Sequence, residues 1–211
     1  MELDRPIFRG LAELEASIGV EPGFFERLQR EEDWSFVIKL HAVFEETVTH
    51  LLAYHFQEEA LNDLLARLEL SNKTTGKLAF LKALGLQGTE NRRYISSLSE
   101  LRNALVHDVR NCSFNLKEMV GGYSDKELKA FAVRFNPFET RKKFDLENPP
   151  RFVEVSPAKL KELMVSARDN PKLYIWVGAH NVLVSLLDMY GYSDYQHWEK
   201  ARVVFSDDDE D

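Results

Sequence analysis

Cysteine is almost missing from this 211-residue chain. Cys112 stands alone, which excludes an intrachain disulfide and any zinc site built from several cysteines. Proline (7) and glycine (10) are also scarce, so disorder is expected only at the termini. No apolar run approaches the ~20 residues that a membrane-spanning helix needs, and no membrane contact is expected. The opening Met1-Glu2-Leu3-Asp4-Arg5-Pro6 has neither a basic stretch nor an apolar one. No signal peptide is therefore expected, and a cytoplasmic protein is.

Positive charge is short as well. The net charge is −8, and five of the negative charges lie in Asp207-Asp208-Asp209-Glu210-Asp211, leaving −3 on the body. Such a tail reads as a solvated end. A mildly acidic body argues against broad capture of duplex nucleic acid, which relies on many Lys and Arg contacts to phosphate. A small local site is still allowed. Lys73, Lys77, Lys82, Arg92, Arg93, Arg102 and Arg110 fall in one stretch, although the sequence does not say whether they share a face.

What is present is helix after helix. Hydrophobic residues make up 44% of the chain, enough for a sizeable core. An N-terminal helix near 8–18 is expected to stop at Gly19, and a short one near 22–30 follows Pro22. A long helix near 33–56 starts at Asp33, with Trp34, Phe36, Val37, Leu40, Val43, Phe44, Val48, Leu51 and Leu52 on a broad apolar face. Helices near 58–69 and 74–84 come next, the second stopped by Gly85. Thr89 is a plausible N-cap for a helix near 89–108, whose apolar residues recur at steps of three and four.

After that helix the character changes. Asn111–Gly122 reads as a loop, and Ser124-Asp125-Lys126-Glu127 as a capping box opening a helix near 125–134. The segment from Asn136 to Val155 holds Pro137, Pro149 and Pro150. It reads as extended or loop, with short strands at Lys143–Leu146 and Arg151–Val155 forming a β-hairpin near 143–155. Being long for a connection, it suits a partner surface. Ser156 and Pro157 start another helix. Pro171 opens a last one, apolar almost all round and therefore a central core element.

The chemistry concentrates in Leu101-Arg102-Asn103-Ala104-Leu105-Val106-His107-Asp108. Guanidinium holds phosphate, and imidazole moves protons near neutral pH. Asn103 and His107 are four apart and stack on one helix face. Arg102 and His107 are five apart, about 140° around the axis, so they flank a groove without stacking.

An arginine followed by a polar residue, with a histidine five positions after the arginine, resembles the R-x4-6-H signature of the HEPN superfamily (higher eukaryotes and prokaryotes nucleotide-binding). The resemblance runs from Asp33 to Ser113. It takes in a long helix with Glu46, then Lys77-Leu78-Ala79-Phe80-Leu81-Lys82-Ala83-Leu84-Gly85-Leu86, then the motif helix. The phrase from Leu84 through Asp108 is also similar to the mannitol repressor family. Before Asp33 and after Ser113 no resemblance is seen.

The resemblance implies an all-α protein, a HEPN-like antiparallel helical bundle over 33–113. A helical extension at 1–32 would precede it. A second helical extension at 114–205 would pack on the core, and a disordered acidic tail would close the chain at 206–211. It implies metal-independent RNA cleavage, in a toxin, defence or RNA-processing effector, with no cofactor and no metal. Arg102 and His107 would be catalytic, supported by Asn103, Glu46 and Asp108. Glu46 would hold Arg102 or His107 in place. It also implies a homodimer with two motifs facing one cleft, RNA as substrate, and an antitoxin or regulatory protein as partner. The alternative is a catalytically inactive regulator similar to the mannitol repressor family, acting through protein contacts. A nucleotide-binding accessory subunit of a transferase pair fits the fold but has no motif here.

A purely structural reading stands beside these. Arg102 can stitch two helices by pairing with Glu46, and His107 can cap the last carbonyls of its helix. His41 with Glu45, and Glu46 with His50, are i,i+4 pairs. Without a His-Glu-x-x-His motif they read as helical ion pairs rather than metal ligands. His55, His180 and His197 read as structural. Ser71–Lys77 faintly echoes a phosphate loop but lacks its first glycine and a preceding strand, and Gly85–Gly88 reads as a turn. Tyr190, Tyr192, Tyr195 and Trp198 could stack bases and read more readily as an anchor for the C-terminus.

Overall fold

The structure is a computed structural model. It describes residues 12, 15, 16, 18–107, 113–136, 143, 144, 152, 153 and 156–206. Among these residues it is an all-α helical bundle. In chain order the helices are α1 (Phe24–Arg30), α2 (Asp33–Phe56), a 3-10 turn (Glu59–Leu61), α3 (Asn62–Ala66), α4 (Lys77–Ala83) and α5 (Thr89–Val106). They continue as α6 (Leu116–Gly121), α7 (Asp125–Phe135), α8 (Pro157–Asp169) and α9 (Pro171–Ser206). Between α7 and α8, β1 (Lys143–Phe144) pairs antiparallel with β2 (Phe152–Val153). The two expected strands pair where they are described, and the rest of 143–155 lies outside the described residues.

Helix α2 is the central rod. Its apolar positions Phe36, Val37, Leu40, Phe44, Val48, Leu51 and Leu52 are buried, and two neighbours cover them. Helix α5 runs antiparallel to α2: Trp34 faces Leu105, His41 faces Ser99, and Phe44 faces Tyr94. Helix α9 runs parallel to α2, with Lys172 beside Asp33 at one end and Asp194 beside Tyr54 at the other. Ile175, Trp176, Ala179, Val182, Leu183, Leu186 and Leu187 of α9 join the same core cluster as α2 and α5. The cluster therefore spans the boundary at 113/114 that the resemblance suggests. As expected α9 is a core element, although Leu173 and Val177 face outward.

Polar groups fix the ends of these helices. The Glu15 carboxylate accepts from the backbone N–H groups of Gly23 and Phe25, two donors that the start of α1 leaves without partners in its own helix. The Asp33 carboxylate accepts from Leu116 N–H at 2.7 Å and pairs with Lys172 Nζ at 2.7 Å. One side chain thus ties the starts of α2, α6 and α9. The Ser124–Glu127 capping box forms, and Ser156 caps α8 with Pro157 inside its first turn.

Three local expectations need correction. Gly88, not Thr89, is the N-cap of α5; Thr89 is already helical. The region near 58–69 is a 3-10 turn and one short helix rather than a continuous helix. The stretch read as a loop through Gly122 contains α6, capped by the Asn115 side chain on Glu118 N–H. Of the N-terminal helix expected near 8–18, most residues lie outside those described, as do Asp108, Arg110, Cys112 and the acidic tail.

Tyr94, entirely buried, marks where four helices meet. Its ring lies against Phe44 of α2 and Phe135 of α7, and its hydroxyl donates to the Ile175 carbonyl of α9 at 2.8 Å. Gly178 makes room for this. A Cβ there would lie 1.8 Å from the Phe135 carbonyl oxygen and 2.9 Å from Tyr94 Cε2. In a helix interior glycine ordinarily costs about 1 kcal/mol relative to alanine, and here packing reverses the preference. Gly178→Ala is expected to lower unfolding free energy by about 1–3 kcal/mol or more, as overpacking does. Urea denaturation followed by circular dichroism checks it, with a lower midpoint and an unchanged slope as the expected result.

Candidate functional site

The motif lies on the last turns of α5. Two contacts clamp that end against α2. The Trp34 indole N–H reaches the Leu105 carbonyl at 3.5 Å, and His41 Nε2 lies 3.1 Å from Ser99 Oγ. Beyond the clamp the surface opens. Asn103 and His107 are exposed and Arg102 is half-buried. His107 is the C-cap residue, still near helical geometry (φ −78°, ψ −12°).

Arg102 Nη1 donates to Asn103 Oδ1 at 3.0 Å. The asparagine therefore orients the guanidinium, not the imidazole. Arg102 and His107 leave α5 in directions about 140° apart. The positive charge of Arg102 is among those that disfavour protonation of His41 on α2. The two groups share one helix end, on separate flanks.

Glu46 does not take the place the resemblance gives it. It is exposed and pairs with His50 one turn on, at 2.8 Å. Its neighbour Glu45 turns inward instead. Glu45 Oε1 is 3.5 Å from Lys77 Nζ, and Glu45 Oε2 is 3.8 Å from His41 Nδ1. Lys77, at the start of α4, is 0% exposed, and Ser99 closes the cluster by donating to the Ile95 carbonyl. Lys77 of α4, Glu45 and His41 of α2 and Ser99 of α5 thus form one cluster. The i,i+4 spacing of His41 and Glu45 was the one legible signal of this cluster. Which glutamate faces inward is a matter of helix rotation that only the packing decides.

The electrostatics follow from burial. Desolvation pushes the Lys77 ammonium below the ordinary lysine range, with Glu45 opposing it. Burial likewise pushes the His41 imidazole below its ordinary value; Glu45 opposes, and the Arg102 and Lys77 cations reinforce it. The cluster favours a neutral imidazole while one carboxylate answers the lysine.

The remaining candidates separate. His55 Nδ1 lies 3.0 Å from Ser193 Oγ, and its ring neighbours His197, joining α2 to α9. The Ser71–Lys77 stretch is a tight turn: Asn72 Oδ1 accepts from Thr74 and Thr75 N–H, and a Cβ on Gly76 would strike the Glu69 carbonyl at 2.5 Å. Tyr190 is tucked against Tyr54, whereas Tyr192, Tyr195 and Trp198 are exposed.

Two stability predictions follow. The unfolded chain takes a proton on His41 near pH 6.5, and the folded chain resists it until lower pH. Stability tied to neutral His41 is present in full above pH 6.5 and lost as the pH falls below it. Thermal melts from pH 7.5 to 5 should show wild type losing more Tm than His41→Leu, in which Ser99 keeps its bond to Ile95. Lys77→Met should raise unfolding free energy by about 1–3 kcal/mol at pH 7, because a buried charge is replaced by an apolar side chain of similar volume and Glu45 is exposed enough to hydrate. Denaturant titration measures it. No family model, no curated protein and no solved structure matches this chain.

Proposed function

We propose that this protein is a metal-independent endoribonuclease of the HEPN type, acting as a homodimer. The observation that carries the reading is the placement of Arg102, Asn103 and His107. They sit on the solvent-facing end of one helix that Trp34 and His41 clamp in place. A phosphate-holding cation and a proton carrier are thus presented on rigid backbone.

The chemistry is a transesterification. The ribose 2′-oxygen attacks the adjacent phosphorus, the P–O5′ bond breaks, and a 2′,3′-cyclic phosphate and a 5′-hydroxyl result. The 2′-hydroxyl proton must leave and the 5′-oxygen must gain one. An imidazole serves either step near neutral pH. Within one chain His107 and Arg102 leave α5 on separate flanks. Two copies related by a two-fold axis supply one histidine as base and one as acid, with Arg102 opposing the negative charge that builds on the phosphorane. Asn103 keeps the guanidinium aimed.

Purified protein in EDTA is expected to cleave single-stranded RNA and leave 2′,3′-cyclic phosphate ends. His107→Ala should lower the rate about 10²–10⁴-fold, as loss of a general acid–base does. Arg102→Ala should also remove most of the activity. Light scattering at micromolar concentration should give a dimer. Varied RNAs left intact by clean protein would instead support the helical regulator acting through protein contacts.

A further inference from the structure

Cations gather along one groove of this acidic chain. Between α5 and α7 a groove of about 580 Å³ is lined by Lys73, Arg93, Lys126, Lys129 and Arg134, with Glu100 the carboxylate in its wall. Three separate elements supply the charges: the turn before α4, then α5, then α7. Only Arg134 meets Glu100, at 3.7 Å. Among the described residues the other four form no ion pair. A local charge of +4 on a chain of net charge −8 sets like charges against one another, and an anion relieves that repulsion.

The groove also has an apolar end. Ser97, Glu100, Ala130 and Arg134 line it together with an adjoining hollow of about 350 Å³, whose wall includes Met119, half-buried Tyr123, buried Phe131 and the Glu127 carboxylate, which is turned back onto Ser124. Cations beside an aromatic shelf suit phosphates beside a base. An inorganic anion uses only the basic end. A duplex is too broad, since it would meet the acidic body on either side of so narrow a basic strip.

The groove leads to the motif. Arg93 and Glu100 in its wall, and then His107, recur every seven residues on α5. Each step is about 10.5 Å along the axis and about 20° short of two full turns. One face of α5 thus runs from the basic groove to the exposed imidazole.

We infer that the α5–α7 groove is the track for the sugar-phosphate backbone of single-stranded RNA, which it delivers to His107. The delivery step rests on the ribonuclease reading; the binding does not. Helix α7 forms one wall and lies after Ser113, outside the part of the chain that resembles the HEPN superfamily.

The test is fluorescence anisotropy with a labelled 20-nucleotide single-stranded RNA, in EDTA, on full-length protein carrying His107→Ala so that the probe stays whole. Adding Lys126→Gln and Lys129→Gln should weaken binding about tenfold or more and flatten the log–log salt dependence by about 1.4, two contacts at about 0.7 each. Tyr123→Ala should weaken binding without changing that slope. Lys82→Gln with Lys161→Gln, both exposed and outside the groove, should do neither. Binding indifferent to the groove pair, or equally tight binding of duplex RNA or of a polyglutamate of equal charge, would overturn the inference. Groove-dependent binding together with no cleavage by wild type would overturn the ribonuclease reading and leave the track standing. Wild-type-like cleavage by Lys126→Gln/Lys129→Gln protein would overturn the track and leave the ribonuclease.

Discussion

Tyr94 and Gly178 set the geometry on which the rest depends. A phenol ring with no exposure, in contact with Phe44 and Phe135, holds α5 at one axial position on α2. The missing side chain at Gly178 lets the last turn of α7 come into backbone contact with α9. Because α5 cannot slide, Ser99 meets His41 and Leu105 meets Trp34, and the motif ends where α2 begins. Because α7 is seated against Gly178, its cations line the open groove it forms with α5. The buried hydroxyl keeps one partner, the Ile175 carbonyl, and burial keeps it protonated well beyond the ordinary phenol range.

Charges inside the bundle serve placement more than net stability. The Asp33 carboxylate binds Lys172 Nζ and Leu116 N–H, and Lys172 also donates to the Glu31 carbonyl at 2.6 Å. An ion pair with its lone pairs and protons occupied is directional in a way that leucine contacts are not. The Lys77–Glu45 pair is the looser case, at 3.5 Å with a half-exposed carboxylate. Its energetic return is small.

Long periodic patterns were legible and rotations were not. Helices α2 and α9 could be read from their apolar faces, and α7 and α8 from the Ser124–Glu127 box and the Ser156-Pro157 start. These are local signals with local causes. Helix α6 escaped because six residues show too little period, although Asn115 with Glu118 three positions on was a cap in plain view. In the candidate site, Asn103 and His107 are exposed at a helix end. The choice of Glu45 over Glu46 differs by one residue, or 100° of rotation, and tertiary packing alone resolves it. Lys73 and Lys126 are far apart in sequence, and no local pattern announces that they line one groove.

The parallel seat of α9 on α2 has a consequence for synthesis. The contact between Glu31 and Lys172 spans 141 residues, so α2 leaves the ribosome long before the helix that covers it. At about 5–20 residues per second its flank waits several seconds at least, bare along Phe36, over whose ring Lys172 lies in the finished fold. Helix α5 arrives first and shields only one side. During that interval the nascent chain is an amphipathic half-bundle, in need of a chaperone's groove or of another chain's α9, and swapping that last helix between two copies is the error it most invites.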